Sequence, residues 1–324
     1  MINIAMGFDS NFAPYAAVTI KSVLQHNQNV NFYLMYDNLK KSDMAKIEAM
    51  IDSEKKGGGK TFWIDMSGKF DHLNAGHWKS KSVYFPVALP SICKDDRILF
   101  LDADILVTGN LENLYKKNLD GYYLAGAVDY GIMRSYLNNE TMNSETFGGR
   151  VHCKDYYKEI FNYTGAEDFN DYINGGILLL NLKELRKDNI ENQMYDLFNK
   201  IDFACNEQDC YNYVCKGKKK ILSKEEAILI FQNDVIDTLP EGIKSEYLDN
   251  YDENKNHLII HLIRKPWIQP EEYIPYAKLF HEIRRKTPYK YFRHRKEIFK
   301  FRFSKKSKYL ILLGHKIFTT NIKK

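Results

Sequence analysis

The sequence lacks a long hydrophobic run, and this absence narrows the classes of protein that it can encode. No stretch of 18 or more consecutive apolar residues occurs among the 324 residues, so we predict no membrane-spanning helix. The chain enters a predicted strand at residues 2–6 and lacks the basic segment that opens a signal peptide. We therefore expect a cytoplasmic protein.

Cysteine is scarce, and its spacing matches no zinc-ligand pattern. The five cysteines are odd in number, which reduced thiols in a cytosolic protein explain most simply. Cys205, Cys210 and Cys215 recur at a helical spacing, which favours one face of a helix over a metal site. A Gly-x-Gly-x-x-Gly fingerprint is also missing after the first predicted strand, so a dinucleotide site of that type is not predicted.

The formal net charge of +5 hides a strong asymmetry along the chain. Residues 283–324 contain 15 Lys and Arg against one acid, Glu297, which gives that segment +14 and leaves −9 on residues 1–282. An acidic body joined to a strongly basic end indicates that the end has its own electrostatic partner.

The stretch that most strongly suggests chemistry is a pair of aspartates inside an apolar run. Asp102 and Asp104 follow residues 98–101, a continuous hydrophobic segment typical of a buried strand in a parallel sheet. Ligands of open α/β sheets bind beyond the carboxyl ends of the strands, and paired carboxylates there suit a divalent cation that can grip phosphates. The alternative is a strand end with two solvated aspartates in a turn.

Strands alternate with amphipathic helices through the first third of the chain, which predicts an α/β fold with a doubly wound, mostly parallel sheet. The strand before Asp102 is then the fourth and lies near the middle of that sheet. Residues 239–256 are polar and are predicted to form a loop. The early strands and helices are predicted, in order, at residues 2–6, 15–25, 30–36, 41–51 and 61–64.

Three further segments place polar residues next to apolar strands. Asn174 and the two glycines after it lead into a strand, where glycines let a ligand approach, although a structural bulge explains them equally well. Glu207 and Gln208 open a predicted helix, where an acid also complements the helix dipole. His261 and Lys265 follow the last predicted strand and suit a metal ligand and a phosphate contact, whereas a lone histidine there is usually structural.

In this order along the chain, these segments resemble the family-8 retaining glycosyltransferases, the group that contains bacterial lipooligosaccharide α-galactosyltransferases and the glycogenins. The matching segments are residues 7–12 (GFDSNF), 100–107 (FLDADILV), 174–182 (NGGILLLNL), 207–209 (EQD) and 261–267 (HLIRKPW).

The resemblance implies a GT-A fold over residues 1–282, in which a nucleotide-binding sheet merges with an acceptor-binding half. It implies a UDP-hexose donor, with galactose or glucose as the sugar, and Mn²⁺, with Mg²⁺ as the alternative. The expected product is an α-linkage on a glycan, glycolipid or glycoprotein acceptor. A non-catalytic sugar-nucleotide-binding or scaffold protein of the same fold is the alternative function.

The resemblance also implies a role for each matching position. Asn174, Glu207 and Gln208 would line the donor sugar and its anomeric carbon. Lys265 would hold the diphosphate, and Phe12 replaces a tyrosine that stacks on uracil in many members. The residues expected at the nucleotide are Gly7, Phe8, Asp9, Asn11, Phe12, Asp102, Ala103 and Lys265, and those expected at the metal are Asp102, Asp104 and His261.

Three positions depart from the family pattern. Pro86 stands where many members have an arginine, so a diphosphate or sugar contact is expected from elsewhere, with Lys79 and Lys81 as candidates. Glu207 replaces an aspartate at a position that faces the sugar. The segment from His261 to Lys265 is shorter than in many members and lacks their glycine.

Two mechanisms for transfer with retention remain open. A double displacement needs a nucleophile near the anomeric carbon, and the nearest implied side chain, Gln208, is an amide and a poor nucleophile. A front-face route, in which departing UDP helps to deprotonate the acceptor hydroxyl, needs no such side chain and is favoured. In either route Mn²⁺ and Lys265 would stabilise the charge that develops on UDP.

The basic end of the chain interleaves its cations with aromatic residues and adds an apolar patch at residues 309–313. This combination predicts a helical tail, residues 283–324, that binds the surface of an anionic membrane. The enzyme would then be peripheral on the inner face of the cell membrane. A solvated basic end is the alternative, and nucleic acid is not expected because nothing in the body supports it.

Overall fold

Strands and helices alternate along the chain, as the hydrophobic pattern predicts. The computed structural model describes residues 1–55, 57–74, 80–231, 233–250, 257–268, 274–292, 299–303, 307–312 and 315–321. Strands β1 to β15 are Ile2–Phe8, Val30–Tyr36, Thr61–Asp65, Arg97–Leu101, Ile105–Val107, Leu124–Val128, Thr141–Ser144, Gly149–His152, Ile173–Asn181, Lys219–Ile221, Ala227–Leu229, Ile259–His261, Phe299–Phe303, Ser307–Leu312 and His315–Asn321.

Helices of two kinds connect these strands. Helices α1 to α12 are Ala13–His26, Lys41–Glu54, Leu89–Ile92, Glu112–Tyr115, Tyr130–Leu137, Cys153–Phe161, Leu182–Lys187, Ile190–Phe198, Asn206–Val214, Asn233–Thr238, Glu241–Asn250 and Ala277–Arg284. Short 3-10 helices are Lys81–Ala88, Glu145–Phe147 and Ala166–Asp171. Within the described residues, no helix is both long enough and apolar enough to cross a bilayer.

The central sheet has seven strands in the order β10-β6-β9-β4-β1-β2-β3. The pairs β10 with β6, β4 with β1, β1 with β2 and β2 with β3 are parallel, whereas β9 is antiparallel to both β4 and β6. The predicted α/β fold and the central position of β4 are confirmed. Because β9 runs in the opposite direction, its first residues lie beside the last residues of β4.

A second, three-stranded sheet brings the last predicted strand to the same edge. Strand β12 pairs with β5 in antiparallel register, with His261 opposite Ile105, and pairs with β11 in parallel. The Thr19 hydroxyl in α1 donates to the Ile105 carbonyl at 2.8 Å and accepts from its N–H at 3.1 Å. These contacts fix β5 under α1 and place His261 next to the turn that contains Asp104.

Helix α9 is tied to the beginning of β9 by a buried asparagine side chain. Asn212 accepts a hydrogen bond from the Ile173 N–H at 2.9 Å and donates to the Ile173 carbonyl at 2.8 Å. The Lys219 ammonium, also buried, donates to the same side-chain oxygen at 2.9 Å. This bridge holds α9 against the residues that open β9.

The C-terminal region differs from its prediction in two ways. The predicted boundary at residue 282 falls inside α12, and Ile283 and Tyr289 are buried in the same core as β1 and α1, so the body extends to Phe292. The predicted helical tail is wrong, because β13, β14 and β15 form an antiparallel sheet. Aromatic and basic residues alternate from 299 to 303, which is the period of a strand.

Candidate active site

Asp102 and Asp104 lie where β4 ends and the chain turns into β5. The Asp102 N–H donates to the Gly176 carbonyl of β9 at 2.9 Å, and the Leu262 N–H donates to the Asp104 carbonyl at 3.1 Å. The turn is therefore held between β9 on one side and the end of β12 on the other. Both carboxylates lie at the carboxyl edge of the parallel strands, where α/β proteins bind ligands.

His261 completes a cluster with these carboxylates. Its Nε2 lies 3.1 Å from Asp104 Oδ1 and 3.7 Å from Asp102 Oδ2, while its Nδ1 lies 3.0 Å from Asn174 Oδ1. The Asn174 amide nitrogen donates to Asp129, which assigns its oxygen as the acceptor, so the proton of His261 belongs on Nδ1. The lone pair of Nε2 then faces both carboxylates, as in histidines that bind metals.

The cluster fits a divalent cation. Ligand atoms of Asp102, Asp104 and His261 all lie within 4.8 Å of one another. Asp104 Oδ1 is buried and receives no hydrogen bond, an arrangement that costs free energy unless a cation compensates the charge. Two carboxylates and an imidazole are a donor set that suits Mn²⁺, and Mg²⁺ prefers the oxygen donors among them.

The two carboxylates have different electrostatic surroundings. Burial would raise the pKa of Asp104, but opposing interactions, of which the ion pair with the Lys265 ammonium is the strongest, hold that pKa below its usual range. Desolvation and the neighbouring Asp104 charge raise the pKa of Asp102 above its usual range. The Asp102 side chain is still 43% exposed, so its carboxylate is the one open to an incoming ligand.

Gly175 and Gly176 allow three elements to meet at this point. A Cβ on Gly176 would lie 2.4 Å from His261 Cε1 and 2.5 Å from Asp102 Oδ2, and one on Gly175 would lie 2.9 Å from Glu207 Oε1. A side chain at position 176 would displace both His261 and Asp102, whereas one at position 175 would displace only the end of the flexible Glu207 side chain. Close approach of His261 and Asp102 therefore explains Gly176. The register of β9 against β6 also shifts here, since Gly126 pairs with Leu178 and Val128 with Ile173, so the irregularity that the sequence left open is present as well.

Gln208 lies beside this cluster with its amide immobilised. Its Oε1 accepts hydrogen bonds from the Gly175 N–H at 2.8 Å and from Asn174 Nδ2 at 3.2 Å. Its Nε2 donates to Asp129 Oδ2 at 3.1 Å. The structure thus brings Gln208 and Asn174 together, as the resemblance implies, and fixes the direction of both amides.

Asp129 organises these amides and was not found in the sequence. Its Oδ2 accepts from both Asn174 and Gln208, while its Oδ1 accepts the Gly131 N–H at 2.9 Å and the Ile132 N–H at 3.3 Å at the start of α5. An aspartate before a helix is an ordinary N-cap in sequence. Only the pairing of β6 with β9 shows that this cap also belongs to the site.

Glu207 occupies the first turn of α9 and faces Gly175. Burial raises its pKa well above the usual range, and the negative charge of Asp102 adds to the shift. Asn206 before it has a left-handed backbone, with φ of 50°, and its side-chain oxygen accepts the Tyr84 hydroxyl at 2.9 Å. The structure therefore places Glu207 in the site together with Asp102.

The residues after β1 lie at the same edge, because β1 pairs with β4. Asp9 Oδ1 accepts the N–H groups of Asn11 and Phe12 at 2.9 and 3.0 Å, which shapes the loop before α1. The Phe12 ring is 38% exposed and available to a ligand. Phe8 and Ala103 are buried at 1% and 5% exposure, so little of either residue is accessible to a ligand.

The segment that carries Pro86 offers no free cation among its described residues. Pro86 is buried in the 3-10 helix Lys81–Ala88, and a Cβ on Gly7 would lie 3.2 Å from a backbone oxygen of that helix. The Lys81 ammonium donates to the Leu73 carbonyl. Lys79, the other candidate for the missing cation, lies outside the described residues.

Known sequences are similar to this chain over most of its length. The sequence model of glycosyl transferase family 8 matches residues 3–270. A lipopolysaccharide 1,2-glucosyltransferase of Escherichia coli is 24% identical over 321 residues, which cover 95% of this chain and 85% of that enzyme. Glycosyltransferase GlyA of Streptococcus pneumoniae serotype 4 is 25% identical over 283 residues, which cover 82% of this chain and 32% of GlyA. A relative from Haemophilus influenzae is 26% identical over 228 residues, and the match spans 62% of its length.

Solved structures share the fold. The apo structure of the bifunctional glycosyltransferase WbbM superposes with a TM-score of 0.77 at 18% identity, over 90% of this chain and 50% of WbbM. The galactosyltransferase LgtC, in complex with donor and acceptor sugar analogues, superposes with a TM-score of 0.66 at 18% identity, over 89% of this chain and 96% of LgtC. The likeness shows a GT-A fold. Since the family match spans most of the chain and includes every candidate residue of the site, this protein belongs to glycosyl transferase family 8.

Proposed function

We propose that this glycosyltransferase is a metal-dependent retaining enzyme that moves galactose or glucose from a UDP-sugar to a glycan acceptor in an α-linkage. The observation that carries the proposal is the cluster of Asp102, Asp104 and His261 beside Lys265 at the carboxyl edge of the sheet. A divalent cation held by the first three would neutralise charge on the diphosphate as its bond to the sugar breaks.

The remaining side chains divide between the two ends of the donor. Asp9, Asn11 and the exposed ring of Phe12 would contact the nucleoside, and Lys265 would add a second positive charge at the diphosphate. Asn174 and Gln208 would orient the sugar, because each amide is already fixed by hydrogen bonds. Such preorganised groups contribute to catalysis because they need not reorganise during the reaction.

Two of the nearby carboxylates, Asp129 and Asp209, are occupied by hydrogen bonds, which favours the front-face mechanism. Both oxygens of Asp129 accept hydrogen bonds, which weakens it as a nucleophile. Asp209, next to Gln208, accepts the Cys205 N–H at 2.7 Å and three tyrosine hydroxyls. Those hydroxyls belong to Tyr156 at 2.8 Å, Tyr157 at 3.3 Å and Tyr172 at 2.5 Å. A double displacement through Asp129 or Asp209 would have to free that carboxylate first.

We further propose a cell-surface glycan of the lipopolysaccharide type as acceptor, reached from the inner face of the membrane. Support comes from the Escherichia coli relative, whose name states that it acts on lipopolysaccharide. Residues 293–324 contain 11 Lys and Arg against one acid. Each cation near an anionic bilayer contributes about 1 kcal/mol of binding free energy, so this end would hold the enzyme at the membrane.

The test measures UDP release from a panel of UDP-sugars with Mn²⁺, Mg²⁺ or EDTA, each with and without lipopolysaccharide acceptors. We expect slow hydrolysis of UDP-galactose or UDP-glucose that requires the metal and accelerates with a suitable acceptor. The anomeric configuration of the product is then read by NMR. Hydrolysis that persists in EDTA, or a β-linked product, would contradict the proposal, and inactivity toward every donor would leave only a binding role.

A further inference from the structure

The segment that carries Lys265 is anchored by aromatic rings. Trp267 follows two residues later and is buried at 3% exposure. Its ring stacks on Tyr15 of α1, with centroids 4.0 Å apart and an interplanar angle of 17°, and lies 5.0 Å from the ring of Phe280 in α12. The Ile268 N–H closes a turn onto the Lys265 carbonyl at 3.1 Å. The position of the lysine backbone thus depends on what holds Trp267.

Phe292, near the C-terminal end of the folded body, packs against the same stack of rings, which is formed by Tyr15 and Trp267. The Phe292 ring meets Tyr15 edge to face, at 6.0 Å and 80°. Tyr289, buried at 6% exposure, donates its hydroxyl to Asp43 of α2 at 2.9 Å, and the Phe292 N–H donates to the Tyr289 carbonyl at 2.9 Å. Residues 287–292 are therefore fixed to the two helices that cover the nucleotide side of the sheet.

We infer that residues 287–292 position the donor-binding lysine. Phe292 supports Tyr15, Tyr15 supports Trp267, and Trp267 holds Lys265 beside Asp104. The same stack reaches the nucleoside side, because the ring of Phe12 meets Tyr15 edge to face at 5.8 Å. The inference rests on the proposed contact of Lys265 with the diphosphate, and it makes Phe292 a positioning residue that touches no substrate.

The kinetic test compares Phe292→Ala with Tyr291→Ala in the full-length protein. Tyr291 is the neighbouring aromatic residue, 85% exposed, and its ring is outside the stack. Loss of one aromatic contact should lower kcat/KM for UDP-sugar hydrolysis about threefold to tenfold in Phe292→Ala, while Tyr291→Ala stays at the wild-type value. Phe292→Tyr, which keeps the ring, should retain the activity.

A double-mutant cycle separates positioning from general stability. In a Lys265→Ala background, Phe292→Ala should cause a clearly smaller loss than in the wild type, because the lysine that it positions is gone. A full additional loss in that background would overturn the inference. If Phe292→Ala does not fold, Phe292→Leu takes its place in the same cycle.

Hydrogen exchange tests the contact without any donor. Peptides that cover residues 262–268 should exchange their amide hydrogens faster in Phe292→Ala than in the wild type. In Tyr291→Ala the exchange rate of these peptides should equal the wild-type rate. Equal exchange in all three proteins would overturn the inference. Failure of the wild type to bind or hydrolyse UDP-sugars would instead refute the proposed function, and the exchange experiment would still decide whether Phe292 supports this segment.

Discussion

Asp104 shows at the scale of a single residue how a buried charge is prepared for a ligand. One of its oxygens is paired with Lys265, and the other is buried without a hydrogen-bond donor and faces His261 Nε2. The surrounding positive charge keeps the carboxylate ionised, since its pKa is lowered. The site therefore retains an unsatisfied negative charge in a place from which water is largely excluded.

Replacement of this charge gives the first prediction. Asp104→Asn keeps the shape of the side chain but removes a metal ligand, so metal-dependent UDP release should fall by more than about 100-fold. The measurement is UDP release against metal concentration, with circular dichroism to verify the fold. Full activity that still requires the metal would show that Asp104 is not a ligand.

Asp129 gives a second prediction at this scale. In Asp129→Asn an NH₂ group replaces one of the two carboxylate oxygens. Both oxygens accept hydrogen bonds in the wild type, so the new NH₂ group would face another donor. We expect UDP-sugar turnover to fall about 10- to 100-fold, as for residues that orient the ligands of a metal.

Asp168→Asn is the matched control for this variant. Asp168 also accepts backbone N–H groups, from Thr164 and Gly165, but has no described contact with the site. Asp168→Asn should leave turnover within about twofold of the wild-type value, since substitutions away from a functional site usually have small effects. Equal losses in both variants would mean that Asp129 matters only as a helix cap.

Among the elements, the orientation of β9 decides which residues meet. As the antiparallel strand between β4 and β6, it presents Asn174 and its glycines at the carboxyl edge rather than at the opposite one. Helix α9 crosses over this point and supplies Gln208. The position of α9 depends on Asn212, whose side chain bridges to both backbone groups of Ile173.

The third prediction removes this bridge. Asn212→Ala leaves two buried backbone groups without partners and should lower the free energy of unfolding by about 2–4 kcal/mol, measured by urea denaturation. Turnover should also fall, because Gln208 loses its fixed position. Asn192→Ala, at an exposed asparagine of α8, is the control and should change stability by less than about 0.5 kcal/mol. An unchanged midpoint in Asn212→Ala would contradict the role of the bridge.

The whole molecule has an acidic body and a basic C-terminal end, and the structure shows that the folded body continues past residue 282, at least to Phe292. Helix α12 and Tyr289 belong to the main core. The strongly basic part of the chain therefore begins at residue 283, before the last residues that pack into the core. Residues 283–292 add to the positive charge near the C-terminus, but they are part of the folded body.

Two truncations test this division. A chain that ends at Phe292 should hydrolyse UDP-sugar at the wild-type rate and should no longer sediment with anionic vesicles, because it lacks 11 of the cations near the C-terminus. A chain that ends at Glu282 should lose thermal stability and donor hydrolysis, since Tyr289 and Phe292 are absent. Vesicle binding that survives in the chain ending at Phe292 would place the membrane contact on the body.

Local patterns were sufficient to predict part of this molecule. The apolar run before Asp102 predicted a buried central strand, and alternating strands and helices predicted the α/β fold, because both signals lie in the spacing of neighbouring residues. The segments that carry Asn174, Gln208 and His261 were found because each follows or precedes such a run. The same reasoning failed for α11, predicted as a loop, since its residues have little amphipathic pattern and few apolar positions.

The sequence by itself determined the fold class, the family and most of the side chains of the candidate site. Only the tertiary structure decided that β9 runs antiparallel, that Asp129 holds the amides of the site, and that Phe292 belongs to the body. Each of these facts rests on contacts between residues far apart in the chain. Such contacts depend on how complete elements pack together, and spacing along the sequence does not record that packing.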